Sequence, residues 1–292
     1  MKNNMTALVS CFARYYHTAN SNIKIYNDTL AHLILTKSEI ENISKNMVEG
    51  INFFNPNYDG DNPLKWIVNN ILAPSVLARS AFNKKHLLNE IRLGLKQYVI
   101  LGSGYDTSGY KINDKVSVYE LDKKEMIDDK IKRVKSTNIS TENVNYISCD
   151  FNGNWIESLL ESSFDKNKKT FCSLLGLSYY LNKEVFKQTI SILAKNIPAG
   201  SVIVFDYPSN IETKKEMINQ SLAKEAGEEM KSKYNYKDIE DIAHSSDMLI
   251  YEYLNYENIN DTFFYDYNTL NPSNKILAPK GVEYCLLVKQ QK

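Results

Sequence analysis

The sequence has few cysteines, and no two of them lie close together. The four cysteines, Cys11, Cys149, Cys172 and Cys285, form no C-x-x-C motif. A disulfide framework is therefore not expected. The four histidines also lack the spacing of zinc ligands. We predict no metal site.

The sequence also lacks an excess of charge and a long apolar run. Its 35 basic residues balance its 35 acidic residues, whereas nucleic-acid-binding and membrane-surface proteins usually carry a basic cluster. No stretch approaches the length of a membrane span, and the first residues do not resemble a signal peptide. We expect a cytoplasmic protein that binds neither nucleic acid nor membrane. The oligomeric state is left open.

Short apolar runs of strand length alternate with helical patterns through much of the 292 residues. Such alternation predicts a mostly parallel sheet with helices on both faces. Two further apolar runs, Met248–Leu254 and Gly281–Lys289, are close enough in sequence to favour an antiparallel final pair. We predict one domain, 1–292, made of a helical N-terminal extension (1–96), a cofactor-binding core (97–206), a helical cover (207–247) and C-terminal strands (248–292).

The core begins with a strand that runs into a glycine turn. The apolar run Tyr98–Leu101 is followed by Gly102-Ser103-Gly104, where the backbone can turn sharply and approach a ligand. A second β-rich run then ends on Glu120 and Asp122. An acid at this strand end is typical of a site that accepts hydrogen bonds from a ribose diol.

The glycine turn favours one nucleoside cofactor over another. A dinucleotide fingerprint would have its third glycine at position 107, where this chain has Thr107. Asp106 in the same turn would repel a pyrophosphate but suits S-adenosylmethionine, which carries an ammonium and a sulfonium and no phosphate. We therefore predict S-adenosylmethionine as the cofactor and disfavour a nicotinamide-dependent oxidoreductase.

Other acids follow later strands of the predicted sheet. Asp150 follows the third strand and Asp206 ends the fifth, and ligands of such sheets bind at the carboxyl ends of the strands. Asp150 has an alternative interpretation as the cap of the helix that contains Trp155. In the N-terminal region, Asp28 is typical of a helix cap before Leu30.

At these residues the chain resembles the leucine carboxyl methyltransferase family, in particular its bacterial small-molecule branch. The segment Leu101–Thr107 is similar to the family's L-G-A-G-x-D-T/S, and Tyr119–Asp122 is similar to its F/Y-E-V-D. Gly176–Leu181 resembles the segment E-G-L-x-x-Y-L, but Leu175 replaces its glutamate, which in the family helps to hold the donor's amino group. Lys111 stands where many members have arginine.

The resemblance implies a Rossmann-like class I methyltransferase fold, with a seven-stranded, mostly parallel sheet, a helical N-terminal extension and a helical cover inserted after the fifth strand. It also implies roles for individual residues in binding the donor. These are Arg79 for the methionine carboxylate, Gly102 and Gly104 for the methionyl part, Glu120 or Asp122 for the ribose hydroxyls, and Asp150 with Phe151 for the adenine.

We expect an enzyme that methylates a carboxylate or hydroxyl of a small molecule, and the resemblance implies a substrate from secondary metabolism. A carboxylate acceptor needs no general base, because it is already ionised near neutral pH. A hydroxyl acceptor would need one, and the candidates are His17, Tyr180 and Asp206. Two alternatives stay open: a scaffold protein of the same fold that has lost turnover, which Leu175 favours, and a methyltransferase acting on a protein's C-terminal carboxylate.

Overall fold

The strands of the chain form one mixed sheet in the computed structural model, which describes residues 4–225 and 227–291. The seven-stranded sheet predicted from the sequence is confirmed. Its strands are β1 (Gln97–Leu101), β2 (Ser117–Asp122), β3 (Val144–Ser148), β4 (Thr170–Leu174), β5 (Val202–Pro208), β6 (Met248–Leu254) and β7 (Val282–Lys289).

The strand order is β3-β2-β1-β4-β5-β7-β6. The first five strands are parallel, and β7 lies antiparallel between β5 and β6, as the short connection between the last two strands predicts. From β1 the chain adds β2 and β3 on one side, and it then returns to add β4 and β5 on the other side of β1. The direction in which strands are added therefore reverses between β1 and β4. In open sheets of this kind the crevice for ligands lies at such a reversal, beyond the carboxyl ends of the strands.

Helices cover both faces of the sheet and form the N-terminal extension. They are α1 (Met5–Asn20), α2 (Ala31–Ile34), α3 (Lys37–Glu49), α4 (Ile51–Phe54), α5 (Pro63–Ile67), α6 (Ala73–Arg92), α7 (Lys124–Lys135), α8 (Trp155–Leu160), α9 (Lys183–Lys195), α10 (Lys214–Glu225), α11 (Tyr236–Ser245), α12 (Tyr256–Ile259) and α13 (Tyr265–Leu270). Among the described residues, no helix is both long enough and apolar enough to cross a membrane.

The central strands β1, β4 and β5 are buried along their whole length. Parallel strands covered by helices on both faces read as continuous apolar runs, which is why the strand pattern is legible in the sequence. One face packs on α8, α9 and α11 through a core that includes Trp155, Phe186 and Ile242. The other packs on α6 through a core that includes Phe82 and Tyr98.

One ion pair is enclosed within this packing. Glu120 of β2 and Lys130 of α7 are both fully buried, and Lys130 Nζ lies 2.6 Å from Glu120 Oε2. Burial raises the pKa of Glu120 to about 7, although the ammonium of Lys130 opposes the shift. A buried pair of this kind is costly to break, since removing one partner leaves the other charge without compensation.

We expect Lys130→Met to lower the free energy of unfolding by about 3–5 kcal/mol, because it strands the carboxylate of Glu120. The double variant Glu120→Leu/Lys130→Met removes both charges and should recover most of that loss. Urea unfolding followed by circular dichroism measures both. Lys124→Met, which removes an exposed lysine of the same helix, is the matched control. A double variant no more stable than the single one would contradict this account.

Candidate active site

A cavity of about 750 Å³ opens at the carboxyl ends of the strands. Its walls come from α1, α6, the loops after β1, β2, β3 and β4, and the segment that follows β5. The residues that the sequence predicts to bind the cofactor line this cavity, with one exception. They are Arg79, Gly102, Gly104, Asp106, Asp122, Asp150 and Phe151.

The glycine turn after β1 has the close packing that requires glycine. Gly102 and Gly104 have φ values of 66° and 42°, in the region that other residues rarely adopt. A Cβ atom at Gly102 would lie 3.1 Å from Leu177 Cδ1, and one at Gly104 would lie 3.3 Å from Ala7 Cβ. Between them, the hydroxyl of Ser103 is buried and has no partner among the described residues. The turn therefore presents backbone and one unused hydroxyl to a ligand.

Asp122, the last residue of β2, closes the same corner of the cavity. Its Oδ2 accepts a hydrogen bond of 2.8 Å from the Gly104 N–H, and its Oδ1 accepts one of 2.7 Å from the Lys123 N–H. Burial raises the pKa of this carboxyl, and the hydrogen bonds from Gly104 and Lys123 oppose that shift. A carboxylate held in this way keeps lone pairs for further donors, as binding of a diol requires.

Glu120 is the exception, and the structure does not support its predicted contact with ribose. Its side chain is fully buried in the pair with Lys130 and does not line the cavity. Glu120 and Asp122 are two residues apart and so share a face of β2. Asp122 lies at the open end of the strand, whereas Glu120 lies one step deeper, under α7. Of the two alternatives, only Asp122 lines the cavity.

Arg79 is fixed by a buried acid from the fifth strand. Its Nη1 lies 3.3 Å from Asp206 Oδ2, and the Gly176 N–H donates to Asp206 Oδ1 over 2.6 Å. A Cβ atom at Gly176 would lie 2.7 Å from Arg79 Nη1, so the guanidinium rests against bare backbone. Arg79 thus lines the cavity, and its contacts with Asp206 and Gly176 fix the orientation of its guanidinium.

The same contacts correct the prediction that Asp206 is a candidate base. Asp206 lies within β5 instead of beyond it, is fully buried and does not line the cavity. Besides Arg79 and Gly176, the hydroxyl of Tyr179 donates to its Oδ2 over 3.1 Å. Both carboxylate oxygens are therefore occupied by the fold.

His17 is likewise a structural residue. It is 1% exposed and does not line the cavity. Its Nε2 accepts the Ile25 N–H at 3.0 Å, and its Nδ1 lies 3.1 Å from Ser21 Oγ. Burial, with a smaller effect from the charge of Lys24, lowers the pKa of His17 to about 4. The prediction of His17 as a base is not supported, because both ring nitrogens hold the end of α1.

Tyr180 is the candidate base that does line the cavity. Burial, with a smaller contribution from Glu228, raises its pKa to about 12. The phenol therefore stays protonated near neutral pH and serves as a hydrogen-bond donor. Asp150 also lines the cavity, and its Oδ1 accepts from the Asn152 N–H at 3.0 Å. It does not cap α8, whose first turn follows Asn154.

The sequence did not reveal a buried charge cluster behind the glycine turn. Asp28 is 1% exposed and binds Arg14 Nε at 2.7 Å and Lys111 Nζ at 2.6 Å. Thr107 Oγ1 donates to the same carboxylate over 2.6 Å, and Arg14 Nη2 donates to the carbonyl of Tyr105 over 2.7 Å. Burial alone would raise the pKa of Asp28, but Arg14 and Lys111 hold it well below its ordinary value.

This cluster extends the role that the sequence predicts for Asp28. Its Oδ1 accepts the Leu30 N–H at 3.3 Å, just before α2, although Leu30 itself is the residue that directly precedes the helix. Asp28 also ties α1 to the loop that carries the glycines. The adjacent acidic and basic residues were visible in the sequence, but their pairing across some 80 positions was not.

The far side of the cavity is built from α6 and the turn before it, the first turns of α1, the segment after β5 and the start of β7. Apolar side chains dominate it, among them Ile71, Leu72, Val76, Ile211 and Val282. Thr6 of α1 donates a hydrogen bond to Glu228, which joins the two covering segments. Among the described residues, no group of three or more histidine, cysteine or acidic side chains is placed to hold a metal ion.

Comparison with known proteins gives one family match and a near full-length relative. Residues 7–194 match the family model described as leucine carboxyl methyltransferase. YktD of Bacillus subtilis (strain 168) carries a provisional name as an S-adenosyl-L-methionine-dependent methyltransferase. It is 36% identical over 306 aligned positions, which cover 99% of each chain.

Solved structures support the fold. A DUF574 family protein from Streptomyces avermitilis MA-4680 has a TM-score of 0.60 at 10% identity, over 99% of this chain and 100% of its own. A Thermobifida fusca YX protein, provisionally named a methyltransferase, has a TM-score of 0.54 at 12% identity, over 99% of this chain and 96% of its own. At such identities the similarity concerns the fold alone.

The structural role of His17 predicts how stability depends on pH. The folded chain resists protonation of His17 down to about pH 4, whereas the unfolded chain binds that proton below about pH 6.5. This contribution to stability is present above pH 6.5 and is lost on acidification, by about 2 kcal/mol between pH 7.5 and pH 5.

We therefore expect His17→Gln to be less stable than wild type at pH 7.5 and to lose less stability on moving to pH 5. Urea unfolding at the two pH values measures the difference. His32→Gln is the matched control, since His32 is exposed. An unchanged pH dependence in His17→Gln would show that His17 is not the group responsible.

Proposed function

Because the chain belongs to the leucine carboxyl methyltransferase family and is an S-adenosylmethionine-dependent methyltransferase, we propose that it methylates an oxygen of a small molecule, most simply a carboxylate. The observation that carries this proposal is the cavity itself. One side offers the glycine turn, Asp122 and Arg79, and the other side is an apolar wall. Pockets with such apolar walls and a few placed polar groups suit small molecules.

The residues present fit the methyl donor. Arg79 would pair with its carboxylate, Asp122 would accept hydrogen bonds from the ribose hydroxyls, and Phe151 would contact the adenine. The unpartnered hydroxyl of Ser103 provides a further polar contact in the turn. Asp106, which lines the cavity, is the acid that would face the donor's ammonium where the family's glutamate is replaced by Leu175.

The donor supplies a methyl group bound to a positively charged sulfur, and that group needs no activation by the protein. The protein's task is to bind both reactants and to align the accepting oxygen. None of the three candidate bases is suited to remove a proton from an acceptor in the cavity, which favours an acceptor that needs no general base. His17 and Asp206 lie outside the cavity, and the raised pKa of Tyr180 makes it a donor. A carboxylate, already ionised, matches this arrangement better than a hydroxyl does.

A second candidate, a donor-binding scaffold without turnover, is favoured by Leu175. The two candidates agree on donor binding and differ only on transfer. A protein C-terminal carboxylate is a third possibility in the same chemical class. Comparing methyl transfer to small acids with methyl transfer to peptides distinguishes this possibility from a small-molecule acceptor.

We expect S-adenosylhomocysteine to bind the wild-type protein, and Asp122→Asn to weaken that binding by about tenfold or more. The reason is that a charged acceptor contributes about 1.5–3 kcal/mol to a hydrogen bond. Isothermal titration calorimetry measures the affinity, and Asp128→Asn, which changes an exposed acid of α7, is the control. Failure of the folded wild-type protein to bind at millimolar ligand would refute donor binding altogether.

The type of bond formed can be tested without knowing the acceptor. Incubation of the protein with tritiated methyl donor and a fraction of small organic acids from cell extract should yield a labelled product. Mild alkali should release the label as methanol, since methyl esters hydrolyse and methyl ethers do not. An alkali-stable label would contradict carboxylate methylation. Donor binding without any transfer, to either small acids or peptides, would favour the scaffold.

A further inference from the structure

Glu216 of α10 is a buried acid in the wall of the cavity. It lines the cavity and is 9% exposed. Its Oε1 accepts a hydrogen bond of 3.1 Å from the Gly281 N–H. Its Oε2 has no hydrogen-bond partner among the described residues. The fold therefore supplies a hydrogen-bond donor to one carboxylate oxygen, and the other oxygen lacks one among the described residues.

The position of this carboxylate is fixed by close packing. A Cβ atom at Gly281 would lie 2.8 Å from Glu216 Cγ and 2.7 Å from the carbonyl oxygen of Ile211. Only a residue without a side chain leaves room for Glu216 here. The glutamate is thus held against the backbone before β7, and the absence of a partner is not a matter of a mobile surface side chain.

No basic side chain of the described residues forms a close ion pair with this acid. The ion pairs between described residues do not include Glu216. The preceding Lys215 is exposed and interacts with Glu216 through its charge, without a hydrogen bond to the carboxylate. A buried carboxylate without a partner is costly, and buried polar groups in native proteins nearly always find one. The missing partner is expected from a ligand.

The place of Glu216 in the fold assigns it to the acceptor side. Gly281 directly precedes β7, whose Val282 pairs with Pro208 of β5. In the strand order, β7 lies three strands from β1, which is roughly 14 Å at the usual strand spacing. The glycine turn and Asp122 lie beyond β1 and β2. A donor bound there has its ribose far from Glu216.

The side chains that line the cavity beside Glu216 include the apolar Ile211, Leu222 and Val282 and the uncharged amides Asn219 and Gln220. Lys233 also lines the cavity, and its ammonium is paired with Glu212. A carboxylate favours a cationic hydrogen-bond donor, since charged hydrogen bonds are stronger than neutral ones. The apolar side chains around it favour a ligand whose cationic group is attached to a hydrocarbon portion. We propose that Glu216 binds a protonated amine of the methyl acceptor, so that the acceptor class is an amino-bearing organic acid with an apolar body. This inference rests on the proposed function for the identity of the acidic end.

The test uses a simple probe instead of the unknown acceptor. The full-length protein is saturated with S-adenosylhomocysteine, and binding of n-hexylammonium, n-hexanol and hexanoate is measured by saturation-transfer NMR titration. We expect hexylammonium to bind most tightly and its affinity to fall on the order of 10- to 100-fold in Glu216→Gln. Glu225→Gln, which makes the same change at an exposed position of α10, should leave that affinity unchanged.

A second variant guards against misfolding of the first. Gly281→Ala places a methyl group where Glu216 Cγ packs and should weaken hexylammonium binding while Glu216 is kept. Equal binding of hexylammonium and hexanol, or no loss in Glu216→Gln, would overturn the proposal. So would a loss of S-adenosylhomocysteine affinity in Glu216→Gln, which would assign the acid to the donor. Because these readouts measure binding, they are independent of whether methyl transfer occurs.

Discussion

The binding site depends on one buried carboxylate, Asp28. It collects Arg14 from α1 and Thr107 and Lys111 from beyond the glycine turn. These segments are far apart in sequence, and the packing of the N-terminal extension brings them together. Arg14 also binds the carbonyl of Tyr105. The left-handed conformation of the turn is therefore supported by contacts from the extension.

A second anchor lies on the other side of the site and follows the same logic. Asp206 accepts hydrogen bonds from Arg79, Gly176 and Tyr179, so its charge orients the groups that face the ligand. Neither acid lines the cavity, whereas one basic partner of each does, namely Arg14 for Asp28 and Arg79 for Asp206. Such a site aligns reactants with fixed groups and offers little acid–base chemistry. This is what a displacement at an already reactive methyl group requires.

The parts of the site that could be predicted from the sequence are those whose position is determined by the strand in which they lie or that precedes them. The glycine turn directly follows β1 and Asp122 ends β2, so β-strand patterning places them at one edge of the sheet. The errors concern residues whose contacts depend on how one element packs against the next. Glu120 shares the strand face of Asp122 but meets Lys130, and His17 meets the backbone of Ile25. No short-range pattern distinguishes a cavity-facing acid from one sealed by a helix packed across it.

The two sides of the cavity also differ in how strongly the fold constrains them. The half that we propose for the donor is built from strand ends, where the sheet geometry leaves little freedom. The half that we propose for the acceptor is built from α1, α6 and the segment with α10, whose packing is set by single contacts such as that of Glu216 with Gly281. Substitutions there change the shape and charge of the wall without disturbing the sheet. On this proposal, acceptor selectivity is free to vary while the donor site stays constant, and the acceptor supplies the hydrogen-bond partner that Glu216 Oε2 lacks among the described residues.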